Sequence, residues 1–134
     1  MARISSGLFN KWLTAYGSAW ENGDPHKASE LFSDQASYLE TPFEDPMIGR
    51  EAIHEYWRAG AESSQTEISF TYRILSVRRN EGIAHWQAKF NRVPSGNRVE
   101  LDGVLVAEFD DVGLCADFKE WWHHRETAHE DSCS

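Results

Sequence analysis

The feature that most constrains the fold of this chain is a change of hydrophobic period near Thr66. Before that point, apolar residues recur at steps of three and four, which is typical of amphipathic helices. From Thr66 onward they recur at every second position, which is typical of strands with one buried face. Helices that precede strands indicate the α+β class, in which the helices lie on one face of a mainly antiparallel sheet.

Three helices are predicted in the first half of the chain. The first covers residues 4–20 and presents one broad apolar face. Asp24 and Pro25 then open the second helix, with the aspartate as N-cap and the proline at the first helical position. The third helix begins near Gly49. A short strand, residues 36–39, lies after the second helix.

Four strands are predicted to form an antiparallel meander in the second half. The first begins at Thr66, and the others cover residues 83–93, 98–109 and about 114–122. The inward parity changes near Ile74, which predicts a β-bulge there. Residues 123–134 are polar and without pattern, so we predict a disordered tail after a single domain of residues 1–122.

Composition argues against several kinds of partner. The formal net charge is −9 at pH 7, from 13 Lys+Arg against 22 Asp+Glu, and such a surface repels nucleic-acid phosphates. The sequence shows no signal-peptide pattern and no apolar run long enough to span a membrane. Cys115 and Cys133 give no disulfide framework. We therefore expect a cytoplasmic protein without nucleic-acid or membrane partners.

Glu40 ends the strand at residues 36–39 and is followed by a loop that contains Pro42. Ala36, Tyr38 and Glu40 share one parity, so Glu40 points inward if the strand holds. A carboxylate beside aromatic rings is poorly solvated, which raises its pKa toward the range of a general base. The alternative is a solvated strand end, and the residues alone do not decide between the two.

Aromatic residues are predicted to occupy the interior. Tyr16 lies in the apolar face of the first helix, where its hydroxyl needs a partner such as a substrate oxygen, Glu40 or a backbone carbonyl. Four of the six tryptophans fall on predicted inward faces: Trp20, Trp57, Trp86 and Trp122. Aromatic walls with few polar groups describe a pocket for a flat or cyclic apolar ligand, and the same rings are also suited to fill a core.

Glu120 shares its parity with Phe118 and Trp122 in the last strand. Simple alternation aims Glu120 at the interior as a second acid, whereas a bulge would turn it to solvent, and we slightly favour the bulge. Asp102 has the opposite parity from Leu101 and is predicted to face outward. The histidines show neither HxH nor HExxH spacing, so no metal site is predicted.

Three segments carry a resemblance to a known family: AWENGDPHKASELFSDQASYLETPF, IGREAIHEYW and EFDDVGLCADFKEWW. Over about residues 8–122 the chain resembles the ketosteroid isomerase-like group, which includes the SnoaL-like polyketide cyclases and the nuclear transport factor 2-like proteins. The resemblance implies a cone, in which a strongly curved antiparallel sheet wraps over the three N-terminal helices (a cystatin-like α+β barrel) around one deep pocket. This fold hosts isomerases, dehydratases, epoxide hydrolases, cyclases and non-catalytic binders.

The resemblance also implies roles for individual residues. Tyr16 falls at the position of the isomerase's oxyanion-binding tyrosine, and Glu40 at that of its catalytic aspartate. Leu105 falls where the isomerase has a protonated aspartate, so the oxyanion hole is half built, which argues against steroid isomerisation itself. Leu105 joins Glu120 and the four inward tryptophans as a predicted substrate-binding position.

Three functions fit these residues. The first is a cofactor-independent isomerase, dehydratase, hydrolase or cyclase that acts on a small hydrophobic carbonyl or hydroxyl compound, with Glu40 as general base and Tyr16 as donor. The second is a non-catalytic binder of a small apolar ligand. The third is an interaction module that forms a homodimer through the outer sheet face, where Val104 and Val106 are apolar. The enzyme ranks slightly first because two functional positions match together.

Overall fold

The computed structural model describes residues 3–129. Its elements in chain order are helix α1 (Ser6–Glu21), helix α2 (Pro25–Ser29), strand β1 (Phe32–Leu39), strand β2 (Met47–Ile48), helix α3 (Arg50–Trp57), a π-helical turn (Arg58–Glu62), and strands β3 (Gln65–Arg78), β4 (Glu81–Arg92), β5 (Arg98–Phe109) and β6 (Cys115–Thr127). The helices precede the long strands, and the curved, open sheet confirms the predicted α+β cone. Within the described residues, no helix is both long and apolar enough to cross a membrane.

The first two helices begin at side-chain caps. Ser5 Oγ accepts a hydrogen bond from the Leu8 N–H at 3.1 Å, and Asp24 Oδ1 accepts one from the Lys27 N–H at 3.1 Å. These bonds satisfy N–H groups that have no partner inside the helix, which fixes where each helix starts. Pro25 occupies the first helical position of α2, as its sequence predicts.

Six strands form one sheet in the order β2-β1-β6-β5-β4-β3. Strands β3 to β6 pair in antiparallel fashion with their sequence neighbours, which confirms the predicted meander. Strand β1 pairs with β6 in parallel, so that Leu39 lies opposite Lys119. This pairing brings the end of β1, and with it Glu40, next to the stretch of β6 that contains Glu120.

Two strands contain a shift of register. One shift lies between Ile74 and Ser76 in β3, which confirms the bulge predicted near residue 74. The other lies near the start of β6, where Ala116 is the extra residue. Because this bulge precedes Phe118, it leaves the inward parity of Glu120 unchanged. The preferred prediction, that a bulge turns Glu120 to solvent, was therefore wrong.

Strand β6 continues to Thr127 instead of ending at residue 122. Its last residues are held to neighbouring strands by ion pairs, from Arg125 to Glu100 at 2.8 Å and from Arg92 to Glu126 at 3.1 Å. A strand that is held by exposed polar side chains has no apolar alternation, so its sequence looks like a tail. The predicted disorder is thus wrong for residues 123–127, while residues 130–134 lie outside the described residues.

The core lies between α1 and the inner face of the sheet, and aromatic rings dominate it. Phe118 stacks on Tyr38 with ring centroids 4.6 Å apart and on Tyr16 at 5.6 Å. Tyr16 also contacts Phe70 of β3 at 5.6 Å. These buried contacts hold the two tyrosines in fixed orientations beneath the cavity described next.

Candidate functional site

A cavity of about 570 Å³ opens between the helices and the inner face of the sheet. Its aromatic lining consists of Tyr16, Trp20, Tyr38, Tyr56, Trp57, Trp86, Phe90 and Trp122. The π-helical turn supplies a wall of small residues that includes Gly60. Two carboxyl groups, those of Glu40 and Glu120, also lie in the lining. A cavity of this volume is large enough for a small organic molecule.

Glu40 lies directly after β1 and is half-buried in the cavity wall. Burial raises the pKa of its carboxyl group, and a hydrogen bond from the Tyr56 hydroxyl opposes this rise by stabilising the ionised form. The backbone carbonyl of Glu40 accepts a hydrogen bond from the Trp122 indole N–H at 3.1 Å. The structure thus places Glu40 at the cavity, and Trp122 ties the end of β1 to β6.

Glu120 is only 5% exposed, and its Oε2 atom has no hydrogen-bond partner within residues 3–129. Burial raises its pKa well above the usual value, and the negative charge of Glu40 raises it further. A buried carboxyl group without a cationic partner is more stable in its neutral form than in its ionised form. Leu105 lies opposite Glu120 on β5, is fully buried and lies outside the cavity lining.

Three tyrosines interact electrostatically with Glu120. The hydroxyl oxygens of Tyr16 and Tyr38 lie 3.4 Å apart. Burial raises the pKa of both groups well above the usual value, and the negative charge that Glu120 carries once it is ionised adds to this rise. Burial raises the pKa of Tyr56 in the same way. The partner of the Tyr16 hydroxyl is therefore Tyr38, which the sequence analysis did not consider.

The four predicted tryptophans all line the cavity, but their N–H groups differ. The Trp20 N–H donates to Gln65 Oε1 at 2.7 Å, and Trp122 donates to the backbone of Glu40. The N–H groups of Trp57 and Trp86 are buried and have no partner in the described part of the chain. Two buried donors of rings that line the cavity are therefore unsatisfied within the described residues.

Two basic side chains, those of Arg92 and His124, also line the cavity. The Arg92 guanidinium is paired with Glu126 in two hydrogen bonds of 3.1 and 3.2 Å. Its charge is thereby compensated within the protein. Between residues 3 and 129, no cluster of three or more His, Cys, Asp or Glu side chains is arranged to hold a metal ion.

Asp102 lies on the outer face of the sheet, as its parity predicts. Its carboxylate accepts a hydrogen bond from the Gln87 amide at 2.8 Å and contacts His85 Nε2 at 2.8 Å. These bonds hold the pKa of Asp102 below its usual value. Asp102 therefore belongs to an outer polar network that is separate from the cavity.

Two cavity residues escaped the sequence analysis as functional candidates. Tyr38 shares the inward parity of Glu40 in β1, and Tyr56 lies on the apolar face predicted for the third helix. Both positions were therefore expected to be buried, which is confirmed for Tyr38 and wrong for Tyr56, whose side chain at the cavity is 38% exposed. What the sequence does not reveal is that α3 packs against β1 so that the Tyr56 hydroxyl reaches the Glu40 carboxylate.

The chain belongs to the SnoaL-like domain family. Residues 13–118 match the sequence model of the SnoaL-like domain, which confirms the family that the sequence resembles. No curated protein sequence shows significant similarity to this chain. The family assignment therefore establishes what kind of domain this is without supplying a substrate.

Solved structures share this fold at low sequence identity. SalBIII, an epoxide hydrolase/cyclase-like enzyme with a role in pyran ring formation in the polyether salinomycin, is 18% identical with a TM-score of 0.74, over 85% of this chain and 89% of SalBIII. A candidate isomerase from Bacillus subtilis is 19% identical with a TM-score of 0.76, over 87% of each chain. A computationally designed 17-OHP binder is 14% identical with a TM-score of 0.76, over 90% of this chain and 97% of the binder. At such identities the likeness establishes the fold alone.

Proposed function

We propose that this protein is an enzyme that performs general acid–base chemistry without a cofactor on a small hydrophobic carbonyl or hydroxyl compound. The observation that carries the proposal is the difference between two carboxyl groups in one cavity. Glu40 is half-exposed and receives a hydrogen bond from Tyr56, whereas Glu120 is buried without a partner. Environments that separate two pKa values in this way define a base and an acid.

Glu40 is the base in this proposal, and Glu120 is the acid. Glu120 is neutral at the pH at which Glu40 ionises, so no charge on Glu120 opposes the ionisation of Glu40. Ionised Glu40, in turn, keeps Glu120 protonated. Glu120 lies opposite Leu105 in the register of β5 and β6. It thus supplies an acid next to the position at which the isomerase aspartate is missing.

The proposed step is a proton transfer at a carbon next to a carbonyl group. Glu40 removes the proton, the electron pair moves to the carbonyl oxygen, and that oxygen receives the proton of Glu120. In a substrate with a neighbouring C=C bond the enol is conjugated, and return of the proton from Glu40 to the far carbon, with return of the enol O–H proton to Glu120, gives an isomer and restores both carboxyl groups. Tyr16 assists as a donor when its hydroxyl hydrogen turns from Tyr38 to the substrate oxygen.

Exchange of hydrogen for deuterium tests this proposal without knowledge of the natural substrate. Cyclic ketones are incubated with the protein in D₂O, and mass spectrometry measures deuterium uptake next to the carbonyl group. We expect uptake with the wild type and a loss of about 10²- to 10⁴-fold in Glu40→Gln. Glu51→Gln, exposed in the first turn of α3, serves as the control and should retain the activity. Equal uptake in Glu40→Gln and the wild type would end the proposal.

A non-catalytic binder is the second candidate. The pairing of the Tyr16 hydroxyl with Tyr38 favours it, because this pair satisfies a buried group without any substrate. The designed 17-OHP binder has the same fold. Tight binding of a ring compound that survives both Tyr16→Phe and Glu40→Gln, together with an absence of deuterium uptake, would favour this function over the enzyme.

A homodimer through the outer sheet face is a separate proposal. Trp121 is 46% exposed on this face and lies beside Val104 of β5. An exposed indole beside an apolar residue is typical of a contact surface. Sedimentation of the wild type and of Trp121→Glu at micromolar concentration tests it, and a wild-type monomer would exclude this dimer.

A further inference from the structure

We propose that the side-chain amide of Gln65 binds the substrate by donating a hydrogen bond from Nε2 to an acceptor oxygen at the end remote from the reacting carbonyl group. This subsite selects neutral compounds of two or more rings with an oxygen function at each end. The proposal rests on the proposed function, because it concerns the substrate of the same cavity.

Trp20 fixes the orientation of the Gln65 amide. The Trp20 indole N–H donates a hydrogen bond to Gln65 Oε1 at 2.7 Å. An indole N–H is a donor only, so the amide atom that it binds must be the oxygen. The Nε2 atom therefore occupies the other position of the planar amide group, with both of its N–H bonds available to another partner.

The Gln65 Nε2 atom lies beside the cavity, where a ligand can reach it. Gln65 and Gly60 both line the cavity, and a Cβ atom on Gly60 would lie 3.8 Å from Gln65 Nε2. This nitrogen has no hydrogen-bond partner within residues 3–129. Unlike the N–H groups of Trp57 and Trp86, it is not enclosed by protein. Gln65 thus presents an oriented, unpaired donor beside the π-helical turn.

The polar groups next to Gln65 already have partners within the protein. Ser64 Oγ donates to the Ala59 carbonyl at 2.6 Å. Arg92, which lies opposite Gln65 in the register of β3 and β4, is paired with Glu126. No uncompensated charge among these groups would attract an ion. The acceptor that fits Gln65 is therefore a neutral carbonyl, ether or hydroxyl oxygen.

Gln65 and Glu120 lie in different parts of the cavity wall. Glu120 is in register, through β5, with Ala84 near the start of β4. Gln65 is in register with Arg92, the last residue of β4. Between these two positions the strand contributes Trp86 to the lining. A ligand that reaches both polar groups therefore has an apolar skeleton between its two oxygens.

Helix α1 indicates how long this skeleton is. The Trp20 ring, which is bonded to Gln65, lies 6.3 Å from the Tyr16 ring, one helical turn earlier. The Tyr16 hydroxyl in turn interacts electrostatically with Glu120. The two polar groups are thus separated by the width of about two aromatic rings. A skeleton of two linked or fused rings matches this separation, and a single ring does not.

Two probes that differ in one carbonyl group test the subsite. Bicyclohexyl-4,4′-dione has a carbonyl group at each end, and 4-cyclohexylcyclohexanone has one at a single end. Calorimetry measures the affinity of the full chain for each compound. The ratio of the two affinities is the preference of the protein for the second carbonyl group.

Gln65→Glu removes the donor and keeps the bond to Trp20, because a carboxylate oxygen accepts from the indole N–H but no N–H group remains. The preference for the dione should fall about three- to tenfold from its wild-type value, which is the range of one hydrogen bond. Gln35→Glu makes the same change at an exposed position of β1 outside the cavity lining. This control should keep the wild-type preference.

Proton–nitrogen NMR observes the Gln65 amide directly in the wild type, so the test stands even if a variant fails to fold. The signals of its NH₂ group are assigned through bonds from the Gln65 backbone. The dione should move them downfield, and the monoketone should leave them in place. The amide of Gln87, which is bonded to Asp102 on the outer face, should respond to neither compound.

The subsite is overturned if Gln65→Glu has the same preference as the wild type, absence of binding included, or if the dione leaves the Gln65 amide signals in place. A preference that is lost in Gln65→Glu, without deuterium uptake in the wild type, would support the subsite and overturn the enzyme. Deuterium uptake that Glu40→Gln abolishes, with unmoved Gln65 signals, would support the enzyme and overturn the subsite.

Discussion

The hydroxyl group of Tyr56 donates a hydrogen bond to the carboxylate of Glu40 and so joins helix α3 to the end of β1. Burial raises the pKa of Glu40, and this bond is the main influence that lowers it. The bond thus keeps Glu40 ionised at a lower pH than burial alone would allow. Tyr56 is a positioning residue in the proposed mechanism because it orients and tunes the base.

Removal of this hydroxyl should raise the pKa of Glu40. In Tyr56→Phe, the ionised carboxylate loses its donor while its burial remains, so a higher pH is needed to ionise it. Carbon-13 NMR titration of the Glu40 carboxyl group measures the change, and the acid limb of any deuterium exchange should move to higher pH in parallel. Tyr72→Phe is the matched control, because Tyr72 bonds Asn10 outside the cavity. An unchanged Glu40 titration would contradict the role of Tyr56.

Glu120 should make the protein less stable as pH rises. Its pKa is raised in the folded state, so above the ordinary value of 4.5 the folded protein holds a proton that the unfolded chain has released. Stability then falls with rising pH until Glu120 ionises in the folded state, by at most about 1.4 kcal/mol per pH unit. Burial and the charge of Glu40 both act in this direction.

Glu120→Gln should remove this contribution, because the amide does not titrate. Urea unfolding at several pH values from 5 to 8 gives the free energy of unfolding of both proteins. The difference between the two free energies of unfolding should grow with pH in favour of the variant, whatever the difference is at pH 5. Glu51→Gln should show the same pH dependence as the wild type. A difference that is independent of pH would show that Glu120 is already ionised in the folded protein.

Two glycines of helix α1 offer a matched test of its packing on the sheet. A Cβ atom on Gly17 would lie 2.6 Å from Cδ2 of the buried Phe70 ring, whereas one on Gly7 would meet only Ser5 Oγ at 3.8 Å. Alanine favours a helix over glycine by up to about 1 kcal/mol at either position. The difference between the two variants therefore isolates the clash.

Gly7→Ala should be neutral or stabilising, and Gly17→Ala should destabilise the fold by about 1–3 kcal/mol because the core is overpacked. Thermal unfolding, followed by calorimetry, measures both. Similar melting temperatures for the two variants would mean that α1 does not approach Phe70 as closely as described.

The sequence analysis succeeded wherever neighbouring residues decide the structure. The period change near Thr66, the caps at Asp24 and Pro25, and the bulge near Ile74 are all local patterns, and each appears in the structure. The prediction for the end of β6 was wrong because the contacts that order this segment are not local. Its residues are ordered by ion pairs with strands that lie far away in sequence, such as Arg92 with Glu126.

The candidate site depends still more on distant contacts. The parallel pairing of β1 with β6 brings Glu40 near Glu120, and no pattern within β1 specifies that partner. The orientation of Glu120 depends on where the β6 bulge falls, and alternation alone does not place it at Ala116. The sequence could therefore nominate both acids, but it could not predict that they share a cavity.

The size of the cavity depends on Gly60 in the π-helical turn. Gly60 lines the cavity, its backbone conformation is open to other residues, and a Cβ atom there would meet only Gln65 Nε2 at 3.8 Å. Gly60→Val should therefore fold normally while its methyl groups occupy ligand space. Affinity for a bulky cyclic ketone such as camphor should fall at least tenfold, because a rigid ligand cannot adapt to the narrower cavity.

The same substitution should leave the melting temperature nearly unchanged, since no buried neighbour is displaced. Gly60→Ala provides an intermediate step, and the affinity should decrease in the order Gly, Ala, Val as the side chain grows. Calorimetric titration of the three proteins with camphor measures this series. Equal affinities throughout would mean that the ligand lies away from the π-helical turn.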